Sequence, residues 1–182
     1  MKKTIFFVLI IMIAIGCKNT KNKSEEQYKK IGDSIATNTQ ALLLKNLTIT
    51  INEKGMRKAL EYCNINAEKI INTKRDNFKI LSIQRLSDKN RNPKNKLFSD
   101  LDKSIFDHFK SSSNDTAILQ YNAVVYYKPI KIMMPSCLKC HGNKDELDIA
   151  AWSSINDLYP NDLAINYKEG DLRGIWKIII KK

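Results

Sequence analysis

The spacing of hydrophobic positions predicts that the N-terminal part of the domain is helical. Apolar residues recur at helical intervals between 28 and 44, which indicates a helix from Ser24 to about Leu47. Ser24 and Gln27 have the spacing of a capping box at its start. The next segment, 48–52, fits either a strand or a continuation of the helix.

A second apolar series follows and predicts another helix from Glu53 onward. Its members share one helical face, and they are Met56, Ala59, Leu60, Cys63, Ala67, Ile70 and Ile71. Cys63 is therefore expected to point toward the interior of the domain.

The remainder of the chain alternates strand-like and helical segments. Strand patterns occupy 78–86 and the long stretch 117–134, in which Pro129 marks an edge, a bulge or a new strand, and a closing strand covers 173–180. Short helices are predicted at 101–109 and 147–158. Two helices followed by strands with interspersed helices predict an α+β domain with a mostly antiparallel sheet.

The first residues predict export and lipid attachment. Lys2 and Lys3 precede a short apolar run, and Gly16 comes directly before Cys17, an arrangement that resembles the signal peptide of bacterial lipoproteins. We expect residues 1–16 to be the signal peptide, Cys17 to carry the lipid, 17–23 to be a tether and 24–182 to be a single domain. The protein would then be extracytoplasmic, on the periplasmic side, anchored to a bacterial membrane. A signal anchor with an incidental cysteine is the alternative.

Composition and charge agree with one folded domain that has a cationic surface. The chain has 182 residues, of which 43% are hydrophobic and 27% are charged, and its formal net charge is +12. This length is sufficient for one sizeable core. The lysines are scattered and are not interleaved with stacking aromatics, so nucleic-acid binding is not predicted.

The strongest chemical motif is the C-x-x-C-H segment formed by Cys137, Cys140 and His141. It is the attachment signature of c-type haem, in which two thiols bond to the vinyl groups and the histidine binds iron. A redox dithiol and part of a zinc site are the alternatives. The export signal favours haem, and it leaves Cys63 as an unpaired thiol in an oxidising compartment.

An ordered set of motifs resembles bacterial single-haem c-type proteins with a PAS-like domain, a family that includes sensor parts of signalling proteins. The set runs through Ala59-Leu60-Glu61-Tyr62-Cys63, Ala67, Arg91-Asn92-Pro93, Asn95, the C-x-x-C-H segment with Gly142, Tyr159-Pro160-Asn161-Asp162 and Gly170-Asp171-Leu172-Arg173-Gly174. The resemblance covers about residue 31 to the end. It implies a PAS-like fold, one covalent haem c and an axial cysteine matching Cys63.

His141 is the expected proximal iron ligand because the motif places it beside the ring. The candidates for the other side are Cys63, His108, Met56, Met133, Met134 and an exchangeable water. Cys63 is favoured by the unpaired thiol and by the resemblance, while the two adjacent methionines are expected to be pocket wall or core.

Three further residues are candidates for cofactor binding. Arg91 and Arg173 suit pairing with haem propionates, because guanidinium groups match carboxylates, although ion pairs at the surface explain them equally well. Asn92 either fixes the loop beside the haem or satisfies turn backbone groups, and we favour the turn. Tyrosines such as Tyr121 and Tyr126 are expected to pack in the sheet.

The predicted function is redox or ligand sensing, or electron transfer, by a membrane-tethered haem protein without catalytic turnover. A sensor role would need a signalling partner, since the chain has no kinase or methyl-accepting region, and a homodimer is compatible with a PAS-like domain. The alternatives are a haem peroxidase-like enzyme and a thiol-disulfide oxidoreductase using Cys137 and Cys140. Peroxidase chemistry requires an open iron site, which a Cys63 ligand would close.

Overall fold

The computed structural model describes residues 20–73 and 80–182, and it describes side chains from 25 to 62 and from 80 onward. The elements in chain order are α1 (Thr20–Thr73), β1 (Ile80–Leu86), a 3-10 turn (Pro93–Asn95), α2 (Asp100–Ser111), β2 (Thr116–Leu119), β3 (Ala123–Lys131), α3 (Pro135–His141), α4 (Ile149–Leu158) and β4 (Leu172–Lys181). The predicted signal peptide, Cys17 and residues 74–79 lie outside the described residues. Within the described residues, no helix is long and apolar enough to cross a membrane.

The strands form one antiparallel sheet in the order β1-β4-β3-β2. The C-terminal strand β4 is central and pairs with both β1 and β3, so the end of the chain joins the first strand to the β2–β3 hairpin. The predicted α+β, PAS-like class with an N-terminal helical segment is therefore confirmed.

The first half of α1 covers one face of the sheet. Ile35 and Ala36 pack with Tyr126 of β3 and with Trp176 and Ile178 of β4 in one buried cluster. These are alternate residues along the strands, as expected when every second side chain points to the same face.

Helix α2 covers the opposite face. Phe106 and Phe109 pack against Val125, Tyr127 and other apolar residues of the sheet. The helix begins with a capping box in which Ser99 and Asp102 hydrogen-bond reciprocally. Asp102 is also fully buried, and it accepts hydrogen bonds from Tyr127 and Lys177 on neighbouring strands, so it ties α2 to the sheet.

Helix α1 is interrupted at Gly55, whose φ of 79° and ψ of 173° are not helical. This is a backbone conformation that is essentially restricted to glycine. Beyond the break, the helix leaves the sheet and packs against α4, where Leu60 joins Ala151 and Ile155 in a separate buried cluster. Helix α1 therefore contributes to two different buried clusters, one on the sheet and one with α4.

Several predicted boundaries differ from the structure. Helix α1 begins at Thr20, so the predicted capping box at Ser24 lies inside the helix, and residues 20–23 of the predicted tether are helical. The segment 48–52 continues the helix. The stretch 117–134 is a hairpin and not one strand, and Tyr121 lies in its connection with 94% of its surface exposed. The prediction that Tyr121 packs in the sheet is therefore wrong.

Candidate cofactor site around the C-x-x-C-H segment

The C-x-x-C-H segment is itself a short helix, α3, which follows the end of β3. Pro135 occupies the first turn, where its missing N–H removes no helical hydrogen bond. The helix ends at His141, and the N–H of Gly142 donates to the Leu138 carbonyl at 2.8 Å. A Cβ at position 142 would lie 2.6 Å from Glu146 Oε2 and 2.8 Å from the Leu138 oxygen, so glycine is required for this close approach.

The His141 imidazole is held in one orientation. Its Nδ1 lies 2.8 Å from the backbone oxygen of Ala164. Because a carbonyl oxygen only accepts, Nδ1 carries the hydrogen and Nε2 keeps a free lone pair. The ring of Tyr167 meets the imidazole edge-on, with centroids 6.1 Å apart. These contacts direct one nitrogen to the protein and leave the other available to a metal.

The electrostatic surroundings keep His141 neutral. Part of the residue is exposed, but burial of the ring lowers the pKa of His141 well below the usual range, and the charges of Arg173, Arg91 and Arg85 lower it further. The hydrogen bond to Ala164 only partly opposes this effect. A neutral imidazole is the form that binds metals.

Arg91 ties helix α3 to the segment that contacts His141. Its Nη2 donates to the Cys140 oxygen at 2.6 Å, to Asp162 Oδ2 at 3.0 Å and to the Ala164 oxygen at 3.3 Å. Only 11% of the Arg91 side chain and 6% of the Asp162 side chain are exposed. The Nε atom of Arg91 is buried and has no hydrogen-bond partner in the described part of the chain.

A second buried arginine, Arg173, lies close to Tyr167, with its Cζ 5.5 Å from the ring centroid. Arg173 Nη1 donates to Ser87 Oγ and to the Lys89 oxygen, each at 3.2 Å, while its buried Nε has no hydrogen-bond partner among the described residues. Burial and the charges of Arg91 and Arg85 lower the pKa of Arg173, despite the opposing influence of Tyr167. The arginines of the site thus carry more positive charge than the neighbouring carboxylate of Asp162 neutralises.

The two cysteines of the segment form no disulfide within the described part of the chain, and both are partly exposed. Cys137 packs against a cluster formed by Ile132, Ala164 and Tyr167. Cys140 packs instead against the second half of α1, where its Sγ lies 3.8 Å from Met56 Sδ. Each of these partly exposed residues therefore packs against a different part of the fold.

The other predicted site residues occupy different places. Asn92 caps the 3-10 turn by accepting from the Lys94 N–H at 3.0 Å, which agrees with the turn interpretation. His108 is exposed on α2, which packs on the sheet and not on α3 or α4 in the described part of the chain. Met133 and Met134 are 68% and 43% exposed, so they are not core residues, and the other expectation, that they form a wall of the cofactor pocket, stays a prediction.

Two predicted residues cannot be placed. The side chain of Cys63 and the whole of Cys17 lie outside the described residues. The backbone at position 63 belongs to α1, seven residues beyond Met56, which is as far as the structure describes this candidate ligand.

Sequence reasoning missed part of the site. Asp162 stood out only as part of a motif, and no sequence pattern indicated that Ala164, Tyr167 or Arg85 belongs to the site. Ala164 acts through its backbone oxygen, which leaves no trace in a side-chain pattern. Tyr167 lies in the irregular connection between α4 and β4, where no periodicity marks a buried residue, although its neighbour Asn166 adopts a positive φ of 61°.

Comparison with known proteins identifies the family. The crystal structure of the cyanobacterial heme-protein Tll0287 has the same fold, with a TM-score of 0.61 and 18% identity over 86% of this chain and 96% of that chain. No curated protein matches the chain significantly. The family model described as Tll0287-like matches residues 17–181, which is nearly the whole chain. The chain therefore belongs to the Tll0287-like family.

Proposed function

We propose that this protein is a membrane-tethered, extracytoplasmic c-type haem protein that acts in electron transfer or in redox or ligand sensing. The observation that carries the proposal is the His141 geometry. Its Nδ1 is hydrogen-bonded to the Ala164 oxygen, which leaves Nε2 with its lone pair, on a helix that also carries Cys137 and Cys140. The relative Tll0287 is a heme-protein, which supports assigning the same group to this chain.

The residues around the segment fit a haem. Cys137 and Cys140 are the proposed attachment thiols, and their partial exposure makes them accessible to a cofactor. The buried Nε atoms of Arg91 and Arg173 lack acceptors, and the carboxylates of a haem would supply them. Buried donors without partners are costly, so this donor set favours an anionic ligand.

Cys63 is the proposed iron ligand on the face opposite His141. Seven helical residues advance the chain by about 10 Å and return it to nearly the same face, so helical periodicity predicts that position 63 follows Met56, which contacts Cys140, along one face of α1. A thiolate donates charge to the iron and lowers its reduction potential. His108 is less suited, because it is exposed on a helix that packs elsewhere.

A bound haem supplies one-electron redox chemistry and a site for small ligands. The residues of this chain bind it, orient the histidine and set the local charge. The export signal and Cys17 are the sequence features that support membrane attachment on the extracytoplasmic side. Both roles need a second protein, either a redox donor or acceptor or a signalling partner.

The first test is covalent attachment. The full chain is produced together with cytochrome c maturation factors, and its intact mass is compared with that of a Cys137→Ala/Cys140→Ala double variant. We expect a one-haem mass increment only in the chain with both cysteines. A wild-type chain without that mass increment would reject the proposal of covalent haem attachment.

The second test identifies the ligand opposite His141. The electron paramagnetic resonance spectrum of the ferric protein should show a low-spin thiolate signature that disappears in Cys63→Ser and persists in His108→Ala. An unchanged spectrum in Cys63→Ser would reject Cys63. Carbon monoxide binding to the ferrous protein then separates the two roles, since a ligand sensor must open a coordination site and an electron carrier need not.

The third test addresses the anchor. The wild type and Cys17→Ser are expressed with a radiolabelled fatty acid and fractionated. We expect label and membrane association only in the wild type. Equal membrane association of the two proteins would reject lipid attachment at Cys17.

A further inference from the structure

Tyr167 is a buried residue whose hydroxyl has no assigned role. It is 4% exposed, and its buried hydroxyl has no hydrogen-bond partner among the residues that the structure describes. The oxygen lies near Ser87 and the Arg173 guanidinium, yet it makes a hydrogen bond of acceptable geometry to neither. Since buried hydroxyl groups normally find partners, this one is expected to have a partner other than the residues that the structure describes.

The backbone and ring of Tyr167 hold His141. The Tyr167 N–H donates to the His141 oxygen at 2.9 Å, and the two rings meet edge-on at 85°. Together with the Ala164 contact at Nδ1, this arrangement limits rotation of the imidazole. The ring therefore acts on the orientation of the proposed iron ligand, and the hydroxyl is a separate feature.

The charge around Tyr167 favours an anion. Lys89 Nζ lies 4.4 Å from the ring centroid, and Arg173 Cζ lies 5.5 Å from it. Lys89 Nζ also donates to the Ile165 oxygen at 2.6 Å, which fixes it in place. The nearby carboxylate of Asp88 is exposed, so the buried side of the ring is cationic.

We propose that Tyr167 is a positioning residue of the haem site, whose ring orients His141 and whose hydroxyl donates, together with Arg173, to a haem propionate. The inference rests on the proposed haem function. It assigns separate roles to two parts of one side chain, so conservative and radical substitutions should have different effects.

The first test compares Tyr167→Phe with Tyr127→Phe in haem-free and haem-loaded protein. Tyr127 is the matched control, because its buried hydroxyl already donates to Asp102 at 2.8 Å. In haem-free protein, kept reduced, Tyr167→Phe should leave the melting temperature unchanged or raise it, since it removes a polar group without a partner. In haem-loaded protein it should lower the melting temperature by about 5 °C.

Tyr127→Phe should lower the melting temperature of both forms equally. An equal decrease for Tyr167→Phe in both forms would overturn the proposal, because it would mean that the hydroxyl serves the polypeptide alone. Covalent haem is checked by mass in every sample. Absence of haem from the wild type would count against the proposed function itself, whereas the equal decrease counts only against Tyr167.

The second test uses haem-loaded protein alone. A hydroxyl donor favours the ionised form of a carboxylate, so its loss should move the redox-linked pH transition of the propionate upward by about one unit in Tyr167→Phe. The neighbouring charges of Arg173, Lys89 and Asp88 are unchanged by this substitution. A transition pH equal to that of the wild type would reject the hydroxyl contact.

The role of the ring is tested by paramagnetic resonance of the same haem-loaded protein. Tyr167→Phe keeps the edge contact and should retain the wild-type low-spin spectrum, whereas Tyr167→Ala should broaden it or change its g values because the imidazole is free to rotate. Identical spectra for Phe and Ala variants would reject the orienting role.

Discussion

The Arg91 guanidinium donates to the Asp162 carboxylate at 3.0 Å, and hardly any of either side chain is exposed. The same nitrogen also reaches the backbone oxygens of Cys140 and Ala164. The pair therefore joins the end of the thiol-bearing helix to the segment that orients His141. Its importance comes from this shared position and from its burial, since exposed ion pairs contribute little.

Asp162→Asn should destabilise the protein by about 3 kcal/mol, because removing one partner leaves a buried guanidinium without its counter-ion. Urea unfolding of the haem-free and haem-loaded proteins measures the loss. Arg57 and Asp157 form a matched exposed pair at 3.2 Å, and Asp157→Asn should cost less than about 1 kcal/mol. Equal losses of unfolding free energy in the two variants would show that the buried pair stabilises the protein no more than the exposed pair does.

Gly32→Ala should destabilise the domain even though alanine favours helices. A Cβ at this position would lie 2.2 Å from Cγ of the buried Tyr126 ring. Overpacking costs about 1–3 kcal/mol, and the gain in helix propensity returns about 1 kcal/mol. We expect a net loss in thermal unfolding, while Ser34→Ala at an exposed position of the same helix should be neutral or slightly stabilising. A more stable Gly32→Ala would mean that the helix and sheet separate easily.

Gly55→Ala should cost about 1–3 kcal/mol, because the non-helical conformation at this position is strained for any residue with a Cβ. Steric contact is not the cause, as nothing lies within 4 Å of a Cβ placed there. If the helix straightens to relieve the strain, Met56 must move relative to Cys140. The measurements are urea unfolding and the ferric spectrum, and no change in either would contradict this account of the break.

Asp102→Asn should remove part of the pH dependence of stability. Burial acts to raise the pKa of Asp102, but hydrogen bonds from Lys177, Tyr127 and Ser99 outweigh it and hold the pKa below its usual value. The stability contributed by this carboxylate is thus fully present above about pH 4, the value of an unfolded aspartate, and is lost as the pH falls through the lower folded-state pKa.

The variant should therefore be less stable at neutral pH and lose less on acidification below pH 4. Urea midpoints measured across that range test the prediction. Asp100→Asn is the control, since the Asp100 side chain is fully exposed on the same helix. A wild-type and a variant curve that stay parallel through the acid range would contradict the role of Asp102.

The sequence predicted the fold class because its signals are local. Periodic apolar residues mark α1, β1 and α2, whereas helix α3 was not predicted. It did not predict the hairpin at Tyr121, because the apolar pattern hardly weakens across the connection. It also did not predict that α1 begins at Thr20, since polar residues at the end of a helix can continue it once the helix is nucleated.

The candidate site was predicted only in part, for a physical reason. Cys137, Cys140 and His141 lie within five consecutive positions, so their relationship is visible in the sequence. The groups that orient and charge the site come from distant segments: Arg91 and Arg173 are 82 positions apart, and Ala164 contributes a backbone atom. Only the fold brings such groups together.

The break at Gly55 has a consequence for how the chain tolerates insertions. In an uninterrupted helix, each inserted residue turns everything beyond it by about 100°, which would rotate Met56 and Leu60 away from their neighbours. At a non-helical residue the direction of the side chains beyond it no longer depends strictly on the number of residues before it. A change in the φ and ψ angles of Gly55 can compensate for rotation of the preceding half of the helix. Length changes in the sheet-covering half of α1 can therefore accumulate without turning the face that contacts Cys140.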